Sequence, residues 1–383
     1  MLDAPQFNSF FMGGFECSTH LLPSGRRLDM IAATGHDRHM RRDYERLRTI
    51  GIRTARTGLR WHLIEPRPGQ YDWSSVLPMI RTARETGIQL LWDVLHYGYP
   101  DDLDIFAPEF IHRFERLSRE FARVLSSESD AVPYINPINE ISFFSWAAGE
   151  SAHLNPYTIG RGFELKAQLA RAAIAGINAF WDVQPNARII HTDPVIHILP
   201  DATRPYEADI AAGYDRAQYQ AWDLLGGRLH PEIGGDPRYL DVIGVNFYPN
   251  NQWYYEGEMI ERTDPNYKPF AAILREVYER YRRPLFVSET GTEDDARPGW
   301  LRYVCDQVYA AMMDGIPVYG ICLYPIVNFP GWNDDRHCMN GLWDYADETG
   351  SRDVCEPFAS EFAFQRDRFV QLLQVNGASV RDQ

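Results

Sequence analysis

The chain has 383 residues, of which 45% are hydrophobic and 13% are aromatic, and its formal net charge is −15. A chain this acidic, without a basic stripe, has no surface that neutralises phosphates, which excludes nucleic acid and anionic membrane as its main partners. No uninterrupted apolar run approaches the length of a membrane span.

Two further features predict a cytoplasmic protein. The segment Met1-Leu2-Asp3-Ala4-Pro5 lacks the positive and apolar regions of a signal peptide. The five cysteines are odd in number and lack the spacing of metal ligands, so we predict free thiols in a reducing compartment. A bridge between Cys338 and Cys355 is the alternative.

Eight short apolar runs alternate along the chain with amphipathic stretches of helical length. The runs cover residues 11–15, 52–57, 88–95, 133–139, 188–192, 242–247, 285–288 and 318–323. The helical stretches cover residues 37–50, 74–86, 108–126, 163–183, 206–225, 269–281, 300–314 and 357–373. Most of these stretches end at a glycine or just before a proline, which are physical stops for a helix. Eight strand–helix units predict an α/β fold, a (β/α)8 TIM barrel that forms a single domain over residues 1–383.

An open doubly wound sheet is the competing architecture. It usually has fewer strands, and no Gly-rich phosphate loop follows the first run here. The long excursions follow predicted strands, at residues 16–36, 97–107, 141–160, 193–205, 248–268 and 324–355. In a barrel such loops all rise on the C-terminal face, where we expect the functional site.

Two of the predicted strands end in a glutamate, Glu140 and Glu289. Cleavage of an acetal needs one protonated carboxyl, which donates to the leaving oxygen, and one ionised carboxylate at the anomeric carbon. The high aromatic content fits a pocket with flat faces for sugar rings, and core packing is the alternative explanation. The two strand ends therefore predict acid/base work in a shared cleft.

Seven motifs, in order between residues 11 and 345, resemble clan A glycoside hydrolases, and most closely family 1, the retaining β-glycosidases. They are FMGG at 11–14, ARTGLRW at 55–61 with Glu65-Pro66, LHYGYP at 95–100, Asn139-Glu140, GVNFY at 244–248, SETG at 288–291, and NFPGW at 328–332 with NGL at 340–342. The resemblance implies that Glu140 is the acid/base and Glu289 the nucleophile, with their carboxyls about 5–5.5 Å apart. It also implies that Arg56 holds Glu289 ionised and that the Tyr248 hydroxyl orients it.

The same resemblance implies a set of sugar contacts. His96 matches a glycone-binding histidine, and the Asn139 amide is placed to donate to the sugar 2-hydroxyl. Asn246 lies in the strand-six motif and is a further substrate-binding candidate. The structural alternatives are a satisfied buried histidine at His96, core packing at Tyr248 and an ion pair inside the barrel at Arg56.

Four positions depart from the family pattern. They are Leu21 in place of a glycone-binding glutamine, Gly98 in place of an acidic residue, Tyr324 in place of a tryptophan and Gly331 in place of a glutamate. A site built around a hydroxyl rejects analogues by large factors, so a changed set implies a different or modified sugar. The substrate-binding candidates in these loops are Glu16, His20, Tyr324, Asn328 and Trp332, with loop packing as the alternative.

We therefore predict a retaining β-glycosidase that acts on a small-molecule glycoside or oligosaccharide, without a cofactor or a metal. A transglycosylase is a close variant, because an alcohol can intercept the covalent intermediate. A carbohydrate-binding barrel without turnover is the rival; the missing glycone contacts favour it and the two glutamates oppose it. A metal hydrolase is a third class, for which the sequence shows no tight cluster of His and Asp. The sugar, the linkage and the oligomeric state stay open.

Overall fold

The computed structural model describes residues 4–381, with side chains up to Gln374, and within that range eight parallel strands close into a barrel. We label them β1 Phe11–Gly14, β2 Thr54–Gly58, β3 Gln89–Leu95, β4 Tyr134–Ile138, β5 Arg188–Pro194, β6 Val242–Asn246, β7 Leu285–Thr290 and β8 Val318–Leu323. Each strand pairs with its neighbours in the chain, and β1 pairs with β8 at Phe11 and Ile321, which closes the ring. The predicted TIM barrel is confirmed, and the doubly wound sheet is excluded.

Helices cover the outside of the barrel. In the described part of the chain the eight that follow the strands are α1 His36–Thr49, α2 Leu77–Thr86, α3 Pro108–Glu128, α4 Gly162–Trp181, α5 Gln220–Leu225, α6 Phe270–Tyr281, α7 Arg297–Met313 and α8 Glu356–Arg381. The helix predicted over residues 206–225 is broken into Ala208–Ala217 and α5. The break lets the Gln218 side chain turn inward, where its Oε1 accepts a hydrogen bond from the Ile196 backbone N–H at 3.0 Å.

Helix α3 shows how the pattern in the sequence produces this layer. Pro108 occupies its first turn, where a missing N–H leaves no bond unmade. Apolar residues then recur every three or four positions and are buried, as in Phe110, Phe114 and Phe121. Burial of each such side chain contributes about 1.5–3 kcal/mol. Helix α4 packs closely on α3, because a Cβ at Gly176 would lie only 2.6 Å from the Phe114 ring.

The inside of the barrel is filled with side chains and is not a channel. The inner cluster consists of Met12, Leu91, Tyr134, Ile190, Val242, Phe286, Cys322 and Tyr324. Phe7 packs against this cluster from the N-terminal side, with ring centroids 5.1 Å from Tyr134 and 5.4 Å from Phe286. Because the lower barrel is apolar, polar groups that line the interior are collected at the C-terminal ends of the strands.

The long loops predicted at that end contain further short elements. The 3-10 turns Pro231–Ile233 and Pro237–Tyr239 lie between α5 and β6, at the opposite end. At the C-terminal end, short helices are found at Met30–Ala33, Trp61–Ile64 and Ile141–Phe144, a π-helix at Ser145–Glu150, and 3-10 turns at Pro205–Glu207 and Asp294–Ala296. Strands His197–Leu199 and Gln252–Tyr254 pair in parallel, and Trp343–Ala346 pairs with Arg352–Val354 in antiparallel fashion. These elements build walls around the mouth of the barrel.

All five cysteines are free, as predicted, so the Cys338–Cys355 bridge is excluded. Among residues 4–381, no helix combines the length and the apolar character that crossing a bilayer requires. Residues 1–3, on which the signal-peptide argument partly rests, lie outside the described residues. The cytoplasmic location therefore stays a prediction.

Candidate active site

A cavity of about 1020 Å³ lies over the C-terminal ends of the strands. A volume of this order accommodates a drug-sized ligand. Of the residues predicted from the sequence, those that line the cavity are Glu16, His96, Glu140, Tyr248, Glu289, Tyr324 and Trp332. The others, Arg56, Asn139, Asn246, His20 and Asn328, lie behind this lining.

Both carboxylate oxygens of Glu289, near the end of β7, accept hydrogen bonds. Arg56 Nη1, from β2, donates to Oε1 at 2.6 Å, and the Tyr248 hydroxyl donates to Oε2 at 2.9 Å. Burial raises the pKa of Glu289, while the positive charge of Arg56 opposes that rise. Glu289 is therefore a carboxylate held in one orientation by a buried cation.

Asp93, inside β3, fixes the arginine in turn. Arg56 donates from Nε to Asp93 Oδ1 at 3.2 Å, and Arg56 Nη2 lies 2.8 Å from Asp93 Oδ2. Burial alone would raise the pKa of Asp93, but the charge of Arg56 together with contacts from His96 and Asn136 outweighs it, and the pKa lies below its ordinary value. The sequence analysis did not name Asp93. Its signal is a charged residue in the middle of an apolar strand, where burial requires a partner.

Glu140 receives its hydrogen bonds from neutral groups. Asn246 Nδ2 donates to Oε1 at 2.8 Å, and the Tyr97 hydroxyl donates to Oε2. Burial raises the pKa of Glu140 to about 8, and the negative charge of Glu289 adds to the effect. Tyr97 was quoted in the strand-three motif but was not identified as a site residue.

The backbone takes an unusual turn to present Glu140. Strand β4 ends at Ile138, and Glu140 has a φ of 47°, in the left-handed region that favours glycine. Its own N–H donates to the Thr192 carbonyl at 3.0 Å, and its carbonyl accepts from the Phe144 N–H at 2.7 Å, which starts the next helix. Tyr97 also has a positive φ, of 64°. Strained backbone of this kind clusters at functional sites.

The two glutamates are thus unequal. In the described part of the chain a guanidinium contacts Glu289, whereas the donors to Glu140 are an amide and a phenol. Between two neighbouring buried carboxyls that cannot both easily ionise, the one beside the cation loses its proton first. The arrangement therefore favours ionisation of Glu289 before that of Glu140.

Asn139 joins the pair to His96. Its Oδ1 accepts from Arg56 Nη2 at 2.6 Å and from the Thr192 hydroxyl at 2.6 Å, which settles the orientation of the amide. The amide nitrogen then lies 3.1 Å from His96 Nε2. His96 Nδ1 lies 2.9 Å from Asp93 Oδ2, so Asp93 anchors both the arginine and the histidine.

Cys17, Asp93 and His96 form a group whose ligand-type atoms, among the described residues, lie within 4.8 Å of one another. The sequence analysis did not anticipate this cluster, since Cys17 is 76 positions from Asp93. The chemistry of the set fits a cation poorly. Burial raises the pKa of the Cys17 thiol to about 11, and the guanidinium of Arg56 already pairs with Asp93. The absence of a metal stays a prediction.

The remaining candidates divide into two groups. Glu16 lies 3.8 Å from His96 Nε2, and the Tyr324 ring is nearly parallel to the His96 ring at 6.3 Å. These two, with Trp332, face the cavity. His20 instead packs its ring against Trp332 at 5.0 Å, behind the lining. Burial lowers the pKa of His20 to about 4.

Asn328 supports a loop. Its Nδ2 donates to Asp344 at 2.9 Å, and its Oδ1 accepts from the Gly341 N–H at 2.6 Å. Neither His20 nor Asn328 is among the described residues that line the cavity, and their direct sugar contacts stay predictions. The departure at Gly98 also has a structural cause. A Cβ at Gly98 would lie 1.9 Å from Thr19 Oγ1, so the loop after β1 leaves no room for an acidic side chain there.

No family model matches the chain, and no curated protein matches it. Solved structures do match the chain. The family 1 β-glucosidase from Thermotoga maritima superposes with a TM-score of 0.72 at 17% identity, over 89% of this chain and 88% of that one. The β-glycosidase from Pyrococcus horikoshii gives 0.71 at 17% identity, over 87% and 85%. A Thermotoga maritima β-glucosidase in complex with glucoimidazole gives 0.74 at 15% identity, over 95% and 99%. At these identities the likeness shows a shared fold.

Proposed function

We propose that the chain is a retaining β-glycosidase, with Glu140 as the acid/base and Glu289 as the nucleophile. The observation that carries the proposal is the unequal environment of two glutamates in one cavity. Glu289 lies between Arg56 and Tyr248, and Glu140 is buried with neutral donors. A double displacement needs this division into an ionised nucleophile and a protonated acid.

In the first step Glu289 attacks the anomeric carbon and forms a glycosyl–enzyme ester. The bond between that carbon and the glycosidic oxygen breaks, and Glu140 transfers its proton to the oxygen, so that the leaving group departs as an alcohol. Arg56 keeps the attacking carboxylate ionised and in place, and Tyr248 restricts its rotation. Much of the barrier reduction comes from this prior positioning.

In the second step water takes the place of the leaving group. Glu289 is now an ester without charge, so one of the causes that raise the pKa of Glu140 is gone. Glu140 accepts a proton from the water as its oxygen attacks the anomeric carbon. The ester bond breaks, Glu289 is released as a carboxylate, and the sugar leaves with its original anomeric configuration.

We further propose that the substrate is a small glycoside whose sugar differs from the usual one of the resembled family. The solved structures support the class, since the Thermotoga maritima β-glucosidase was determined with glucoimidazole. Two observations support a different sugar. The space at Gly98 is filled by Thr19, and the cavity is lined by Glu16, Tyr324 and Trp332. A screen of aryl glycosides of many sugars, in both anomeric forms and including modified sugars, identifies the preferred one.

Trapping the intermediate tests the mechanism. The protein is incubated with 2-deoxy-2-fluoro glycosides of the sugars in the screen, and any adduct is located by peptide mass spectrometry. We expect a single label on Glu289 and none in Glu289→Ala. A label on another residue, or full activity in Glu289→Ala, contradicts the proposal. Tight sugar binding without hydrolysis of any glycoside supports the non-catalytic barrel instead.

A further inference from the structure

The outer part of the cavity is lined by large apolar side chains that are only half buried. Trp146, Phe163, Tyr214 and Met259 line it, and between 40% and 44% of each residue's surface is exposed. They come from the π-helix, the start of α4, the helix Ala208–Ala217 and the loop after β6. Flat and apolar surfaces at a cleft are typical contacts for a flat apolar ligand group.

A buried lysine interrupts this apolar wall. Lys166, in α4, lines the cavity and is 7% exposed. It is one of two lysines in a chain whose other positive charges are carried by arginine. It is the one lysine or arginine among the described residues that line the cavity.

The protein satisfies this ammonium only in part. Lys166 Nζ donates to Gln220 Oε1 at 2.9 Å, and none of the described carboxylates forms an ion pair with it. The oxygens of the nearby Asp193 accept instead from the Ser142 backbone N–H, at 3.1 and 3.2 Å. Burial lowers the pKa of Lys166, although the charge of Asp193 opposes this. A buried ammonium has three N–H donors, and leaving them without acceptors is costly.

A second polar group with too few hydrogen-bond partners lies on the same wall. The Ser142 hydroxyl is buried, lines the cavity and has no hydrogen-bond partner among the described residues. Ser142 is two residues beyond Glu140 and, like Lys166, adjoins Asp193. Buried polar groups are nearly always satisfied, so an ammonium with one acceptor beside a hydroxyl with none points to a ligand that completes them.

The position of this wall tells which part of a substrate would reach it. Glu289 attacks the sugar, and Glu140 protonates the oxygen that leaves, so the cavity beyond Glu140 holds the leaving group. Ser142 follows Glu140 by two residues, and both Ser142 and Lys166 adjoin Asp193, so we assign them to that side. An acceptor that carries one negative charge would neutralise the single lysine, whereas Glu150 and Glu293, which also line the cavity, would repel a dianion such as a phosphate more strongly.

We propose that Lys166, Gln220 and Ser142 form a subsite for a carboxylate on the leaving group, so that the preferred substrates are glycosides of hydroxylated aromatic acids. The apolar wall takes the aromatic ring, and Lys166 and Ser142 donate hydrogen bonds to the carboxylate. The assignment to the leaving group rests on the proposed function, while the binding of an aromatic carboxylate at this wall does not.

Binding of two matched products tests the subsite directly. 4-Hydroxybenzoate and 4-hydroxybenzamide differ in charge but little in shape, and their dissociation constants are measured by calorimetry at neutral pH. The wild type is expected to prefer the benzoate by about tenfold, the usual value of one charge-assisted hydrogen bond. Lys166→Met and Lys166→Gln are expected to lose the preference, and the matched control Lys268→Met keeps it, since Lys268 contacts Glu276 away from the cavity.

Equal binding of both ligands by the wild type overturns the subsite, and this measurement does not depend on whether any variant folds. A preference that persists in correctly folded Lys166 variants, judged by thermal unfolding, also overturns the subsite.

The matched aryl glycosides then test the link between the subsite and catalysis. The ratio of kcat/KM for the 4-carboxyphenyl and 4-carboxamidophenyl glycosides is expected to fall about tenfold in Lys166→Met, with the leaving-group chemistry cancelling between enzymes. Preferential benzoate binding without hydrolysis of any glycoside leaves the subsite in place and contradicts the proposed function.

Discussion

The floor and the outer wall of the cavity are built in opposite ways. The floor residues Arg56, Glu140 and Glu289 lie in barrel strands or directly after them, are buried, and have their charged atoms bonded to one another or to neutral donors. The wall residues Trp146 and Phe163 come from loops and the start of a helix and remain half exposed. A barrel places chemistry on backbone that is held from both sides, and leaves substrate choice to segments that can vary without disturbing it.

The two regions also differ in how complete they are. On the floor, each of the four carboxylate oxygens of Glu140 and Glu289 accepts a hydrogen bond from the protein. On the wall, the Ser142 hydroxyl has no partner among the described residues, and Gln220 is the hydrogen-bond acceptor of Lys166. The floor is therefore organised before a ligand arrives, whereas the wall depends on the ligand to satisfy it.

Removal of the proposed nucleophile, Glu289, should have the largest effect of the changes on the floor. In Glu289→Ala we expect kcat/KM to fall on the order of 10⁴-fold or more, because the covalent step is lost. Added azide should restore part of the rate by occupying the vacated space, and its product should be the α-glycosyl azide, identified by NMR. The exposed Glu279→Ala is the control and should keep the wild-type rate. Product with the β configuration would argue against the assigned role of Glu289.

Removal of the buried cation tests whether the floor is a structural unit as well. Arg56→Met leaves Asp93 and Glu289 without their counter-charge, so the free energy of unfolding should fall by about 3–5 kcal/mol. The value of kcat/KM should fall about 10²–10³-fold, since general positioning is lost with the charge. Denaturant unfolding and steady-state kinetics measure the two effects. In Arg302→Met, which removes a surface ion pair to Glu361, the stability change should stay within about 1 kcal/mol. If Arg56→Met lowered the free energy of unfolding no more than Arg302→Met does, the floor residues would not form a structural unit.

The pH dependence tests the environment of Glu140. The proposed mechanism needs the protonated form of Glu140, and its pKa is raised to about 8, so kcat/KM should decline as the pH rises through about 8. The Tyr97 hydroxyl stabilises the carboxylate and thereby lowers that pKa. Tyr97→Phe should therefore move the alkaline limb to higher pH.

Tyr99→Phe serves as the control for the pH experiment, because the Tyr99 hydroxyl bonds to Asn155 and not to Glu140. The limb should stay where it is in that variant. An alkaline limb that moves to lower pH in Tyr97→Phe would contradict the hydrogen bond to Glu140.

A substitution in the wall should have the smallest effect on activity, and it should change KM rather than kcat. Trp146→Ala removes part of the apolar surface offered to the leaving group, so KM for aryl glycosides should rise by about three- to tenfold with kcat nearly unchanged. Methyl glycosides, which do not reach the wall, should show no change. The control is Phe364→Ala, an exposed aromatic residue on α8. A large loss of kcat in Trp146→Ala would remove the distinction between floor and wall.

The sequence predicted the floor far better than the wall. Arg56, Tyr248 and Glu289 lie in motifs at strand ends, and a closed barrel brings all strand ends to one rim. Their meeting therefore follows from the topology once eight strands are recognised. Asp93 was not predicted although its strand was, because it lies outside the quoted motifs of β2, β3 and β7 and its partner Arg56 is distant in the sequence.

The wall depends on how loops fold, which local patterns do not determine. A lysine in an amphipathic stretch normally faces solvent, so nothing in the pattern of residues 163–183 marks Lys166 as buried. The π-helix at Ser145–Glu150 and the parallel pair His197–Leu199 and Gln252–Tyr254 were predicted only as loop. For the same reason the sequence did not predict that the Asn328 amide accepts from the Gly341 N–H within its loop.

The left-handed backbone of Glu140 has a consequence for the history of such barrels. A glutamate with a φ of 47° stores strain that glycine or asparagine would relieve, so Glu140→Gly would combine loss of the acid with a gain in stability. Selection for stability alone would remove the glutamate, and only continued use of the acid opposes that drift. A descendant of this barrel that had ceased to turn over its ligand would therefore be recognised first by a glycine or an asparagine at this single position.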